Sequence, residues 1–322
     1  MLSTDSLRKL ILAVCLLAAT MARGAVPSDQ QIELRTATGI IAGSLMMPDR
    51  GGTLPVVLII AGSGPTDRNG NTPLLPGANN SLLMLARGLA AAGIASVRYD
   101  KRGIASSRPA ALKEEDLRFD HLVDDAAAWV SMLGADPRFT SVSIAGHSEG
   151  SLVGMAAAAK GKAHAFVSLA GGGRTLSDIM RVQLAGKLAP TMAGQFEQVL
   201  LALEAGKTVA QTAPELAGLI RPSVQPYLIS VLKYRPVEQI AKLTIPVLIV
   251  QGSTDLQVGL DDADALKKAR PDAQLLIVPG MNHLLKAVGG NGQEQQASYS
   301  DPGLALAPAL MPAVVDFLRQ AK

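Results

Sequence analysis

Apolar residues in this chain come in short runs that recur at intervals, with polar stretches between them. Val56-Val57-Leu58-Ile59-Ile60-Ala61 is continuously apolar, the pattern of a strand buried on both faces of a parallel sheet. Similar runs return at 94–99, 142–145, 165–169, 247–250 and 275–278. Segments whose apolar residues follow a helical period separate most of them, at 81–92, 116–133, 149–160, 260–270 and 304–320. Strands alternating with helices predict an α/β fold, a mostly parallel sheet flanked by helices. Upstream, 31–36 alternates with period two and 40–48 follows a turn at Thr38-Gly39. That pair predicts an antiparallel hairpin at a sheet edge.

One interval breaks the rhythm. Between Leu169 and Ile245 there is room for far more than one crossover helix, and the apolar spacing predicts helices at 175–188, 192–205, 213–220 and 224–232. Met and Leu stripes at this spacing read mainly as packing, with some positions able to line a pocket because Met fits irregular apolar shapes. The expected organisation is a core of residues 26–170 and 238–322 interrupted by a helical cap insertion, 171–237. The cap is expected over the carboxyl ends of the strands, where open sheets bind ligands. Residues 289–296 are polar and glycine-rich and read as a loop.

The first 25 residues stand apart. Arg8 and Lys9 precede the apolar run 10–19, and small residues follow at Ala22, Gly24 and Ala25. This is the layout of a secretory signal peptide, cleaved near Gly24 or Ala25. The run is short of the ~20 residues that span a bilayer, so no stable membrane insertion of the mature chain is expected. The sole cysteine, Cys15, lies inside it, and the bulky Val14 before it speaks against lipidation. Cleavage leaves 297 of the 322 residues and takes the formal net charge from +3 to +1, because Asp5, Arg8, Lys9 and Arg23 leave together. The mature chain then has no disulfide and no cysteine-based metal or redox site. With aromatics at 3% and no basic face, nucleic acid is not an expected partner. The expected location is the periplasm or the medium.

The chemistry concentrates at Gly146-His147-Ser148-Glu149-Gly150. A strand pattern precedes it and an alanine-rich helix former follows, which is the context of a nucleophile elbow. A serine hydroxyl needs a base to take its proton and a third group to hold that base. In elbow sites the chain order is Ser, then Asp or Glu, then His. Of four histidines only His283 lies well downstream, in Pro279-Gly280-Met281-Asn282-His283 after the last strand pattern. His147 is read as packing and orienting the elbow, and His121 and His164 as structural. Asp255 follows the 245–250 run and is the candidate acid, while Asp261 and Asp262 read as N-terminal charges of the next helix. The oxyanion of a tetrahedral intermediate needs two N–H donors. Glu149 follows the nucleophile, and the loop Ala61-Gly62-Ser63-Gly64-Pro65 supplies the other, Ser63 first and Gly64 second. No metal or organic cofactor is required. A histidine base predicts a rate that rises between pH 5 and 8.

Several stretches together resemble the α/β-hydrolase superfamily over residues 30–320. They are 61–71 (AGSGPTDRNGN), 99–103 (YDKRG), 146–150 (GHSEG), 252–258 (GSTDLQV) and 281–286 (MNHLLK). More narrowly, the chain is similar to bacterial serine esterases of the esterase-D type and to dienelactone-hydrolase-like proteins. The resemblance implies the α/β-hydrolase fold and hydrolysis of short-chain acyl esters by Ser148, Asp255 and His283, with Ser63 and Glu149 at the oxyanion position. Asp67, Arg68, Asp100 and Arg102 lie in the same stretches and read as scaffold that ties the rim loops by ion pairs. The three side chains do not separate esters from amides or thioesters. A peptidase is expected to grip a peptide terminus with a charged group in the cap, where Glu204, Lys207 and Glu215 are available. A non-catalytic binding protein on the same fold is the remaining alternative.

Overall fold

The computed structural model describes residues 28–321. The signal-peptide reading of residues 1–25, and Cys15 with it, lies outside them. Eight strands form one sheet: β1 Ser28–Thr36, β2 Gly39–Met47, β3 Leu54–Ile60, β4 Ala95–Tyr99, β5 Phe139–His147, β6 Phe166–Leu169, β7 Val247–Gly252 and β8 Gln274–Val278. Their order is β1-β2-β4-β3-β5-β6-β7-β8. The hairpin β1–β2 and the pair β2–β4 are antiparallel, and every other pair is parallel. This is the mixed, mostly parallel sheet that the apolar runs predict.

The runs are continuous because both faces are covered. Along β3, Val56, Leu58 and Ile60 enter one apolar cluster, while Val57 and Ile59 enter the other. The first cluster is closed by α2 Phe119–Gly134 and α3 Glu149–Lys160, through Val123, Trp129 and Met155. On the other face lie α1 Ser81–Ala91 and α11 Leu310–Gln320, through Leu85, Leu89 and Val314. Each large side chain buried in these layers contributes roughly 1.5–3 kcal/mol.

Between β6 and β7 the chain forms α4 Leu176–Leu184, α5 Pro190–Glu204, α6 Ala217–Ile220, α7 Gln225–Leu232 and α8 Pro236–Ala241. The segment has a small apolar centre of its own, including Phe196, Leu200, Leu203 and Ile220. The last helix, α8, instead sends Ile240 into the core under the sheet. The expected helix at 175–188 stops at Leu184, ahead of Gly186 in the left-handed region. The helices α5 and α8 begin on Pro190 and Pro236, and 3-10 turns opening on Pro214 and Pro222 lead into α6 and α7. Proline fits a helix start because it lacks only an N–H that is already unpaired there.

Beyond β7 come α9 Leu260–Ala269 and α10 Gly292–Ser298. Part of the expected loop 289–296 is therefore helix, capped by the Asn291 side chain, which accepts from Glu294 N at 2.8 Å. The last helix starts at Leu310 rather than at 304. No helix among the described residues is long and apolar enough to cross a membrane.

Candidate active site

Ser148 sits where β5 turns into α3, with φ 55° and ψ −122°. A β-carbon there tolerates this conformation only under constraint. The constraint is close backbone packing. A side chain on Gly146 would meet Gly150 O at 2.2 Å, and one on Gly150 would meet Ile60 O at 2.4 Å. Both positions must be glycine for the turn to fold this tightly. The Ser148 amide is anchored to Leu169 O at 2.9 Å, so the strained residue is held from both sides.

His283 reaches Ser148 from the loop after β8. Its Nε2 lies 3.1 Å from Ser148 Oγ and its Nδ1 lies 2.8 Å from Asp255 Oδ2. With Nδ1–H donating to the carboxylate, Nε2 is left to accept the serine proton. The loop is shaped by Asn282, whose Oδ1 accepts from Leu284 N and Lys286 N at 3.0 and 3.1 Å. It is also tied to the elbow, because His147 Nε2–H donates to His283 O at 2.7 Å. Burial pushes the His147 pKa down to about 4, and the neighbouring His283 adds to this, so His147 is a neutral donor at pH 7.

Asp255 lies three residues beyond β7, its side chain wholly buried. Burial alone raises its pKa, but His283 and the N–H groups of Val258 and Gln257 outweigh that and hold it below the usual aspartate range. Its Oδ1 accepts from Gln257 N at 2.8 Å and Val258 N at 3.0 Å, and its Oδ2 accepts from Gln251 Nε2 at 3.1 Å. Gln251, on β7, orients the carboxylate and had no signature in the sequence beyond its place just after an apolar run.

The two candidate oxyanion donors flank the serine. Glu149 is the first residue of α3, so its N–H has no acceptor within the helix. Ser63 is exposed on the loop after β3, just past Gly62. A β-carbon on Gly62 would lie 3.1 Å from Ser148 Cβ, which measures how closely this loop approaches the nucleophile. Beside His283 opens a cavity of about 340 Å³, walled by Leu75, Pro76, Leu256, Gln257, Tyr299 and the start of the following turn. No acidic or basic side chain lines it apart from the His283 ring.

The remaining sequence candidates have structural partners. Asp100 accepts from Arg68 Nη2 at 2.7 Å and from Arg68 N at 2.8 Å, which ties the loop after β3 to the end of β4. Arg102 pairs with Asp125 at 2.6 Å, and Asp67 accepts from Asn69 N and Asn71 N. Asp262 accepts from Gly259 N at the start of α9, and it also binds Arg174 at 2.5 Å. The His121 ring caps α2 by accepting from Arg118 N, and His164 donates to Ala321 O. Among the cap charges, Glu204 is paired with Arg181 at 2.8 Å.

This arrangement, a serine elbow meeting a His–Asp pair across the carboxyl ends of parallel strands, can be set beside known proteins. The family model described as serine aminopeptidase, S33, matches residues 80–286. The chain belongs to this family, within the α/β-hydrolase superfamily. Ser148, Asp255 and His283 fall inside the matched range of this α/β hydrolase, and Ser63 falls before it. Esterase EstD of Thermotoga maritima is 28% identical over 267 residues, covering 82% of this chain. The chain spans 62% of the length of that relative. Est1E from Butyrivibrio proteoclasticus, with ferulic acid bound, shares the fold at a TM-score of 0.62 and 20% identity, over 90% of this chain and 98% of that one. Dienelactone hydrolase from Anabaena variabilis shares it at 0.53 and 17%, over 92% and 99%. The protein is an α/β hydrolase that is similar in sequence to an esterase.

Proposed function

We propose that this α/β hydrolase is a serine carboxylesterase acting on short-chain acyl esters of uncharged alcohols. The observation that carries the reading is the unbroken run of hydrogen bonds from Asp255 through His283 to Ser148 Oγ. His283 Nε2 takes the Ser148 proton as Oγ attacks the ester carbonyl. The oxyanion is met by Ser63 N–H and Glu149 N–H. Asp255 fixes the ring tautomer and stabilises the imidazolium. His283 then gives its proton to the alcohol oxygen, the C–O bond breaks and the alcohol leaves. Water repeats the cycle on the acyl-serine. Because the departing oxygen must receive its proton from His283, the cavity beside that ring is the alcohol side of the site. The helical segment 171–237 is read as the cap that shapes the acyl side, and residues 1–25 as an export signal.

A peptidase is the second reading, favoured by the description of the family model. An aminopeptidase carries the substrate ammonium on the acyl side, and there Glu204, a cap carboxylate named for gripping it, is already paired with Arg181. Hydrolysis of nitrophenyl esters from acetate to palmitate, beside alanine nitroanilide, tests both. Short esters should be cleaved fastest, and Ser148→Ala should lower turnover by at least ~10⁴-fold. Faster cleavage of the anilide than of any ester, or an active Ser148→Ala protein, would overturn the esterase reading.

A further inference from the structure

Lys101 lies two residues past β4 and is 5% exposed. It belongs neither to the Ser–His–Asp relay nor to the rim ion pairs. Its ammonium donates to the carbonyl oxygen of Gly62. A buried ammonium is costly unless it is hydrogen-bonded and near an opposite charge. Burial pushes the Lys101 pKa down, and the Glu149 carboxylate opposes that. Glu149 in turn accepts from Tyr227 Oη, on α7, at 2.9 Å. Thus a buried cation, the carboxylate that acts on it and the phenol bound to that carboxylate are linked at the residue next to the nucleophile.

The position of the bond gives it meaning. In a trans peptide the C=O of one residue and the N–H of the next point in opposite directions. The C=O that Lys101 holds belongs to Gly62, so the N–H it aims belongs to Ser63. The other side of Ser63 is fixed too, since Thr66 Oγ1 donates to Ser63 O at 2.8 Å. Among the described residues, Ser63 N–H has no hydrogen-bond acceptor, so it is free for a ligand. A loop with Gly62 and Gly64 on either side of Ser63 has wide backbone freedom, and an outside clamp is what would keep the donor aimed.

We propose that Lys101 is a positioning residue for the oxyanion site: its ammonium clamps the Gly62 carbonyl and thereby points Ser63 N–H at the oxygen that becomes negative during acyl transfer. The inference rests on the esterase reading. The Tyr227–Glu149 bond links the clamp to α7 of the helical segment, because Glu149 supplies both the second backbone donor and the charge that acts on Lys101.

Losing an oxyanion donor outright lowers turnover ~10²–10³-fold, so a donor left unaimed should cost about tenfold to a hundredfold. Lys101→Met keeps the stem and removes the donor. Its kcat on nitrophenyl acetate should fall by that factor with KM within twofold of wild type. Affinity for a trifluoromethyl ketone, whose serine adduct carries the oxyanion, should fall by the same factor as kcat/KM. Lys101→Arg, which still donates, should regain part of both. A kcat within twofold of wild type would overturn the proposal, as would a loss confined to KM with ketone affinity unchanged. If Lys101→Met does not fold, Lys101→Cys in a Cys15→Ser background decides. Alkylated with bromoethylamine it regains an ammonium, and with bromopropane an apolar group of the same shape. Higher kcat with the amine supports the clamp, and equal kcat in the two folded products sinks it. A wild type inert on esters would instead remove the esterase reading beneath it.

Discussion

The sheet core and the helical segment between β6 and β7 are held together by different forces. In the core, Phe166, Trp129, Leu58 and Ile60 are wholly buried, and layers of apolar side chains cover both faces. The helical segment has a much smaller apolar centre and leaves Val182 55% and Leu201 47% exposed. Much of its fixing is ionic. Arg181 of α4 reaches Glu197 and Glu204 of α5, and Arg221 reaches Glu114 beside the core. Ser148, His283 and Asp255 all stand on the apolar side of this division. Groups that must hold hydrogen-bond geometry are mounted on the part that deforms least, and the segment proposed as the cap is the part that can yield.

The comparison breaks first if the core is not the main source of stability. Phe166→Ala empties a site shared by β5, β6 and α3, where the ring is wholly buried. It should lower stability by about 3–5 kcal/mol, and esterase activity should vanish at the same urea concentration as the sheet signal. Leu200→Ala at the centre of the helical segment should leave that sheet transition in place while shifting KM for the longer esters. If both variants lose the sheet signal together, the two regions form one cooperative unit and the division is only descriptive.

Much of this division was legible in the sequence, for a physical reason. A strand buried on both faces can be apolar at nearly every position, so β3 and β7 announce themselves without any periodicity, whereas β5 is read from the alternation Ser141-Val142-Ser143-Ile144. The elbow was legible because its glycines are forced by backbone contacts. The helical segment was less so. Apolar spacing found its helices, but their ends are set by Pro190, Pro214, Pro222 and left-handed Gly186 and Gly206. The polar helix α10 carries no apolar stripe and hid inside a glycine-rich stretch. Its Gln295 is nevertheless buried, donating to Thr254 O and Gly289 O. Gln251, Lys101 and Tyr227 were missed as site residues because their work is done through partners far away in the chain.

A smaller effect sharpens the comparison from the core side. His147 is buried, and its pKa falls from 6.5 to about 4. The unfolded chain therefore binds a proton between these values that the folded protein refuses. Stability is untouched above pH 6.5 and drains away as pH falls toward 4, by up to about 3 kcal/mol. His147→Gln keeps a donor for His283 O and cannot be protonated. Urea midpoints of the two proteins should converge toward pH 4 from whatever difference they show at pH 7, with wild type losing more on the way down. Parallel curves would mean that His147 is not the source of acid sensitivity in the core.

The smallest expected effect tests the ionic side. Arg181 holds Asp178 on its own helix and two glutamates on α5, and all four side chains are partly exposed. Pairs of this exposure contribute roughly 0–1 kcal/mol each, because water already solvates both partners and ordering long side chains opposes the gain. Arg181→Met preserves the apolar stem and removes only the charge. The expected loss is about 1 kcal/mol at low salt, and it should disappear at high salt, where the Debye length shrinks to about 3 Å at 1 M. Phe166→Ala, by contrast, should cost the same at either salt concentration, because no charge is involved. Thermal melts of wild type and both variants at low and high salt give the answer directly. If the Arg181→Met deficit survives in 1 M salt, the guanidinium acts through packing of its planar group between α4 and α5, and the contrast between an apolar core and an ion-tied segment fails at its most heavily charged point.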